Sequence, residues 1–302
     1  MWLINSSIGR KVVMSITGIA LILFLTFHAC MNVVALFSGE AYDTICELLG
    51  ANWYAVVATL GLAALAVIHI IYAFILTLQN RRARGNERYA VTDTPAKVEW
   101  ASQNMFVLGI IIVLGLLLHL FNFWYNMMLP ELIHGEEAAA LAAAANIPGP
   151  ADGFAWIKAT FDCPVFVALY IIWLIALWFH LTHGFWSAIQ TLGWNGKTWF
   201  CRWRVIGITY VTALMLMFLV VVLAFAFKCA PSLCKENCKQ QTECVMQAPC
   251  DKAKDDCCKM KAADSEAVKA CKCEECKCDP CECADKQEGC KCEECKCEDC
   301  KC

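Results

Sequence analysis

The sequence predicts an all-α membrane protein: a bundle of five transmembrane helices followed by a disordered, cysteine-rich C-terminal tail. The chain is 59% hydrophobic and only 18% charged, the profile of an integral membrane protein with a soluble appendage. Five apolar stretches, roughly Val12 to Phe37, Trp53 to Leu78, Met105 to Leu129, Val165 to Ile189 and Val205 to Phe227, each exceed the ~20 residues that cross a bilayer as a helix. None of them contains Lys, Arg, Asp or Glu. Composition then changes near Lys228: residues 1–228 hold nearly all the aromatic and branched side chains and 4 of the 23 cysteines, whereas residues 229–302 hold the other 19. The net charge of −3 supports no nucleic-acid partner.

The first stretch could be misread as a secretory signal, with Arg10 and Lys11 ahead of it and "FHAC" resembling a cleavage site. Its apolar run continues to Phe37, well beyond the ~7 to 15 residues of a signal core, so it reads as an uncleaved helix. The loops between the stretches differ in charge. Arg10 and Lys11 precede the first helix; Arg81, Arg82, Arg84, Arg88 and Lys97 fill the second loop; Lys197, Arg202 and Arg204 fill the fourth. The first loop carries Glu40, Asp43 and Glu47, and the third has Lys158 against five acids. By the positive-inside rule the N-terminus is cytoplasmic, and five crossings leave the tail outside. In the third loop, "EEAAALAAAAN" has the helix propensity of a short interfacial helix.

Four of the six histidines, His28, His69, His119 and His180, sit one apiece in the first four apolar stretches. An imidazole in hydrocarbon is costly, so one per helix asks for a bound group that repays the cost, and haem iron is the leading candidate. His28 and His119 lie late in outward-running helices, while His69 and His180 lie late in inward-running ones. The four therefore sort into an outer and an inner pair, each on two different helices. Haem iron takes axial ligands from opposite faces of its macrocycle, which facing helices can supply. Ordinary polar packing explains a single such histidine more readily than four at two matched depths. His134, in an outer loop, reads as solvated. His183, three residues after His180, reads as a neighbour or alternative ligand.

At these residues the chain resembles a family, the five-helix dihaem cytochrome b membrane anchor of succinate dehydrogenases and quinol:fumarate reductases. "SSIGRKVVMSITGIALILFLTFHACMN" is similar to the family's first helix, with a glycine ten residues before His28 and Asn32 four after it. "HIIYAF" around His69, "SQNM" opening the third helix and "FHLTHGFWS" around His180 also have counterparts. The last is the most specific: His180, then Gly184, Phe185 and Trp186, which selects His180 over His183 as ligand. The resemblance covers residues 1 to about 227. It implies two haem b groups, the outer held by His28 and His119 and the inner by His69 and His180, and a place in the cytoplasmic (inner) membrane.

It further implies that a flavoprotein subunit and an iron–sulfur subunit dock on the cytoplasmic face, with electrons passing to or from menaquinone or another quinone. The chain itself has no glycine-rich dinucleotide fingerprint and no ferredoxin cysteine run in the membrane part, so no succinate site is expected on it. Relatives place a quinone near the outer haem, where two-electron chemistry needs a proton-exchanging group. Glu47 is the candidate, although an ordinary solvated loop acid would look the same. Some fumarate reductases carry a glutamate two residues before the fourth-helix ligand; here Trp178 stands there, so a relay through that position is unsupported. Arg10, Lys11 and Ser15 lie where haem propionates could reach, but topology alone also puts basic residues there.

The tail contains a repeat, "CKCEECKCDPCEC" at Cys271 to Cys283 and "CKCEECKCEDCKC" at Cys290 to Cys302. With almost nothing apolar to bury, it is expected to be disordered unless cross-linked or metal-bound. Its CxC and CxxC spacings resemble metallothionein and suit thiolate binding of Zn or Cu(I) by Cys271, Cys273, Cys276, Cys278, Cys281, Cys283, Cys290, Cys292, Cys295, Cys297, Cys300 and Cys302. An outer location would instead favour disulfides. Cys30, Cys46, Cys163 and Cys201 show no paired spacing. Two rivals to the main reading stand: a bis-histidine cytochrome b of a hydrogenase or formate dehydrogenase, and a transition-metal transporter or sensor fed by the tail. The second calls for acidic or thiolate partners, and the five stretches contain no Asp or Glu.

Overall fold

The computed structural model describes residues 6–50, 52–84 and 100–234. The chain is an all-α, membrane-spanning protein with five helices long and apolar enough to cross a bilayer, and no strand occurs among the described residues. Helix α1 is Ser7–Phe37, α2 Gly39–Leu48, α3 Trp53–Arg84, and α4 Trp100–His119, which continues through a π-helical turn, Leu120–Trp124. Then come α5 Met128–His134, α6 Glu137–Ala144, α7 Gly153–Phe161, α8 Pro164–Thr191 and α9 Phe200–Ala226. The alanine-rich segment of the third loop is α6. The repeat cysteines of the tail lie outside the described residues, as do Arg88 and Lys97.

Local chemistry sets the ends. The Ser6 hydroxyl accepts from Gly9 N at 2.9 Å and opens α1, and Ser38, extended in backbone, closes α1 and caps α2 by accepting from Ala41 N at 3.2 Å. Pro164 occupies the first turn of α8, where a missing N–H costs nothing. At the other end of α8, Gly193 takes φ 78° and Trp194 N donates back to Ile189 O at 3.1 Å, a Schellman closure. Helix α9 closes the same way, with Cys229 N donating to Ala224 O at 2.9 Å, but the left-handed residue there is Lys228, φ 54°.

Three helices make the tight core. On α1 the buried residues Ser15, Ile22, Ala29 and Leu36 fall seven apart. On α8, Tyr170, Leu174, Leu177 and Leu181 follow the same four-three rhythm, as do Gly207, Val211 and Leu214 on α9. A seven-residue repeat keeps one seam facing its neighbour, and small residues let backbones approach where lipid offers no hydrophobic drive. Helix α3 packs on α1, α4 packs on α8, α1 on α8, and α9 covers both α1 and α8. Helices α3 and α4 meet through Phe74 and Phe106, with ring centres 6.2 Å apart, and Arg81 lies over Phe106 at 5.4 Å. Four helices thus form a ring in the order α1, α3, α4, α8. The diagonals of that ring are α1 to α4 and α3 to α8.

One end of the bundle is capped by the short helices. Helix α7 packs against α2, α8 and α9; Asp43 of α2 accepts from Phe154 N at 2.8 Å, satisfying a free donor in the first turn of α7. Phe154 meets Phe225 at 5.4 Å between ring centres. Packing continues past Lys228: Ala230 and Ser232 are buried and Leu233 packs on the core. The last described residues, to Cys234, thus lie at the capped end.

Candidate functional site: two crossed histidine pairs

The diagonals of the ring are where the four intramembrane histidines meet. His28 of α1 and His119 of α4 have ring centres 5.8 Å apart at 87°. His69 of α3 and His180 of α8 are 6.4 Å apart at 68°. The first pair lies toward the capped end, the second toward the opposite end. His69 bonds to Thr17 of α1, and His28 follows Thr17 by eleven residues on the same helix. At ~1.5 Å per residue the two levels are about 16 Å apart.

The spacing within each pair has a chemical reading. Two metal–imidazole bonds of ~2 Å end to end, plus about 1 Å from each bound nitrogen to its ring centre, separate collinear ligand rings by roughly 6 Å. Each pair offers two nitrogens. Among the described residues no three His, Cys, Asp or Glu side chains converge on a common point. Two axial donors on opposite sides suit an iron already held in a macrocycle, whereas a bare transition-metal ion would call for about four protein ligands. His180 Nδ1 is buried with no hydrogen-bond partner, and a Cβ added at Gly184, one turn beyond His180, would meet nothing within 4 Å. The donor set of each pair therefore suits a haem, and the open space beside Gly184 adds to that fit at the His69–His180 level alone.

Neighbouring side chains fix the rings. Thr17 Oγ1 donates to Val13 O at 2.9 Å, so its oxygen is left to accept from His69 Nδ1–H at 3.0 Å. With its proton on Nδ1, His69 carries its lone pair on Nε2, the nitrogen then open to a metal. Gly18 makes the approach possible, since a Cβ there would lie 3.3 Å from His69 Cε1. At the other level His119 Nδ1 is 3.4 Å from the Tyr170 hydroxyl, which also accepts from Asn122 Nδ2 at 3.3 Å. The His119 ring is flanked by Phe123 at 5.1 Å and Trp173 at 5.6 Å, and Phe24 stacks on His28 at 5.5 Å.

The remaining candidates are placed as follows. Glu47 is exposed on α2, at the capped end. Its backbone carbonyl accepts from Asn52 Nδ2 at 3.2 Å. His183 is half-buried on α8, and His134 is exposed at the end of α5. Trp178 Nε1 donates to Thr212 of α9 at 2.9 Å, so this indole is engaged with α9. Ser15 is buried and donates to Lys11 O at 3.0 Å. Asn32 donates to His28 O at 2.8 Å and accepts from Tyr42 at 3.3 Å, tying α1 to α2. Beside Tyr42, burial and then the Asp43 carboxylate push the Cys46 thiol up to about 12, and burial raises the Tyr42 phenol as well.

Thr17, Asn122, Tyr170, Gly115 and Trp173 are absent from any reading of the histidines alone. Gly18 could have been found from its place ten residues before His28. Compared with protein-family models, with curated proteins and with solved structures, the chain matches none.

Proposed function

We propose that this chain is the haem-bearing membrane anchor of a succinate:quinone oxidoreductase, a succinate dehydrogenase or fumarate reductase. What carries the reading is the pair of crossed histidine diagonals at ligand spacing, His28 with His119 and His69 with His180. The succinate assignment adds the sequence resemblance of residues 1–227. Haem b held at each level would supply one-electron redox chemistry, and two levels about 16 Å apart would let electrons cross the bundle. The protein's own work is to hold and orient. The four imidazoles meet in pairs across the bundle, Thr17 sets one tautomer, and the aromatic side chains around His28 and His119 exclude water.

In this reading the exposed cations Arg81, Arg82, Lys197, Arg202 and Arg204, on the uncapped end, face the iron–sulfur and flavoprotein subunits. Glu47, exposed at the capped end nearer His28 and His119, exchanges protons with a quinone, menaquinone being the family's usual partner. A reduced-minus-oxidised optical spectrum of the purified complex, with a haem-to-chain ratio, tests the core of the proposal. Two b-type haems per chain support it, and the absence of b bands sinks it. Co-purification with a flavoprotein and an iron–sulfur subunit supports the succinate assignment; a nickel or molybdenum partner replaces it with a hydrogenase or formate dehydrogenase.

A further inference from the structure

The two histidine levels are held by different chemistry, and the difference begins in the backbone. Directly after His119 the α4 helix widens into the π turn Leu120–Trp124, with Tyr125 N donating to Leu120 O at 2.8 Å. Such turns insert a residue and re-aim the side chains that follow. Here Asn122 is buried in the bundle, 6% exposed, with its amide on the Tyr170 hydroxyl, while Phe123 lies against His119. Tyr170 is itself 5% exposed, its ring enclosed by Phe161, Phe123 and Trp173. A buried amide and a buried phenol are costly in hydrocarbon unless they bond to something. They bond to each other, and the phenol oxygen also reaches His119 Nδ1.

We propose that Tyr170 and Asn122 are a positioning pair that sets how strongly His119 donates to a bound metal; this rests on the dihaem reading. A His119 that ligates through Nε2 carries its proton on Nδ1, so Nδ1–H donates to the Tyr170 oxygen. Donation to an acceptor makes an imidazole a stronger electron donor to its metal and favours the oxidised iron. Asn122 donates to that same oxygen and so weakens it as an acceptor for His119. The two side chains therefore act on His119 in opposite directions. His69, held by Thr17 instead, lies outside their reach.

The test is a redox titration of the purified complex, resolving the two b centres. Tyr170→Phe removes the acceptor and is expected to raise the midpoint potential of the centre lost in a His119→Ala variant. Asn122→Leu removes the competing donor and is expected to lower it. Neither change should move the other centre. Shifts of equal sign, shifts at both centres, or unchanged potentials with full haem content overturn the proposal. Should Asn122→Leu fail to accumulate, Asn122→Ser, too short to reach Tyr170, carries the same expectation. A purely structural role would lower haem occupancy without opposite shifts, and a chain that binds no haem would overturn the dihaem reading itself.

Discussion

Thr17 accepts a hydrogen bond from His69 across the α1–α3 interface, at 3.0 Å, while giving its own proton to Val13 O one turn back. A hydroxyl has one proton, so spending it on the helix backbone leaves only acceptor capacity for the histidine. The expected consequence is asymmetric among substitutions. On the proposed dihaem reading, Thr17→Val, similar in shape, should lower haem content at the His69 level, whereas Thr17→Ser should retain it. A haem-to-chain ratio falling from two toward one in the valine variant is the readout; equal ratios in both variants would dissociate the hydroxyl from ligation.

Gly18 sits beside the same ring. An added Cβ would lie 3.3 Å from His69 Cε1, close enough that the ring must yield by a few tenths of an ångström. On the same dihaem reading, Gly18→Ala should be tolerated with a perturbed low-spin signal, and Gly18→Leu should displace His69. Electron paramagnetic resonance of the oxidised protein separates the two, and a Gly18→Leu spectrum identical to the parent's would refute the close approach.

Gly115 performs a different task, because a Cβ there would run into the indole of Trp173, whose Nε1 donates to Ile112 O at 3.1 Å. That indole in turn lies against His119. Gly115→Ala should cost about 1–3 kcal/mol by overpacking and lower the thermal midpoint. Trp173→Phe in the same background should recover part of the loss, and no recovery would argue against that clash as the cause.

Cys46 lies outside the spans, between α1 and α3, and its thiol is pushed up to about 12 by burial first and the Asp43 carboxylate second. A raised thiol stays neutral at physiological pH, so maleimide labelling of the folded protein at pH 8 should be much slower at Cys46 than at an ordinary thiol. The linked stability runs in one direction. It is complete below the ordinary cysteine range, near 9, and declines as pH rises toward 12, because the unfolded chain ionises first. Fast labelling in the native protein at pH 8 would contradict the half-buried, raised thiol.

Lys228 occupies a left-handed position at φ 54° and pairs with Asp162 at 2.9 Å through side chains that are 74% and 64% exposed. An exposed pair contributes ~0.2–1 kcal/mol, while a left-handed backbone costs a side-chain-bearing residue about 1 kcal/mol. Lys228→Gly should therefore be near neutral and Lys228→Ala destabilising, separated by about 1 kcal/mol in thermal unfolding. High salt should shrink the alanine effect, and equal stability of the two variants would dismiss the strain.

Much of the site was legible in the chain because of what membranes forbid. Charges are excluded from spans, so the spans were visible as uncharged runs, and histidines are rare there, so His28, His69, His119 and His180 stood out. Loop charges converted position along each helix into depth. Helix ends ran further than the apolar runs, as in α3, which extends to Arg84, because a helix continues while its backbone bonds are satisfied, whatever its side chains. The supporting residues were not legible. Tyr170, Trp173 and Gly115 look like ordinary components of apolar helices, and only their partners on another helix distinguish them.

Sequence by itself determined the number of spans, the four histidines and their sorting into two levels, because hydropathy and charge are local properties. Tertiary structure decided which helices lie across the diagonals and how far apart the rings stand. It also decided that a hydroxyl from α1 holds His69 while a phenol from α8, backed by an amide from a π turn, meets His119. Those are distances between residues dozens of positions apart, and they follow from how the five helices pack against one another.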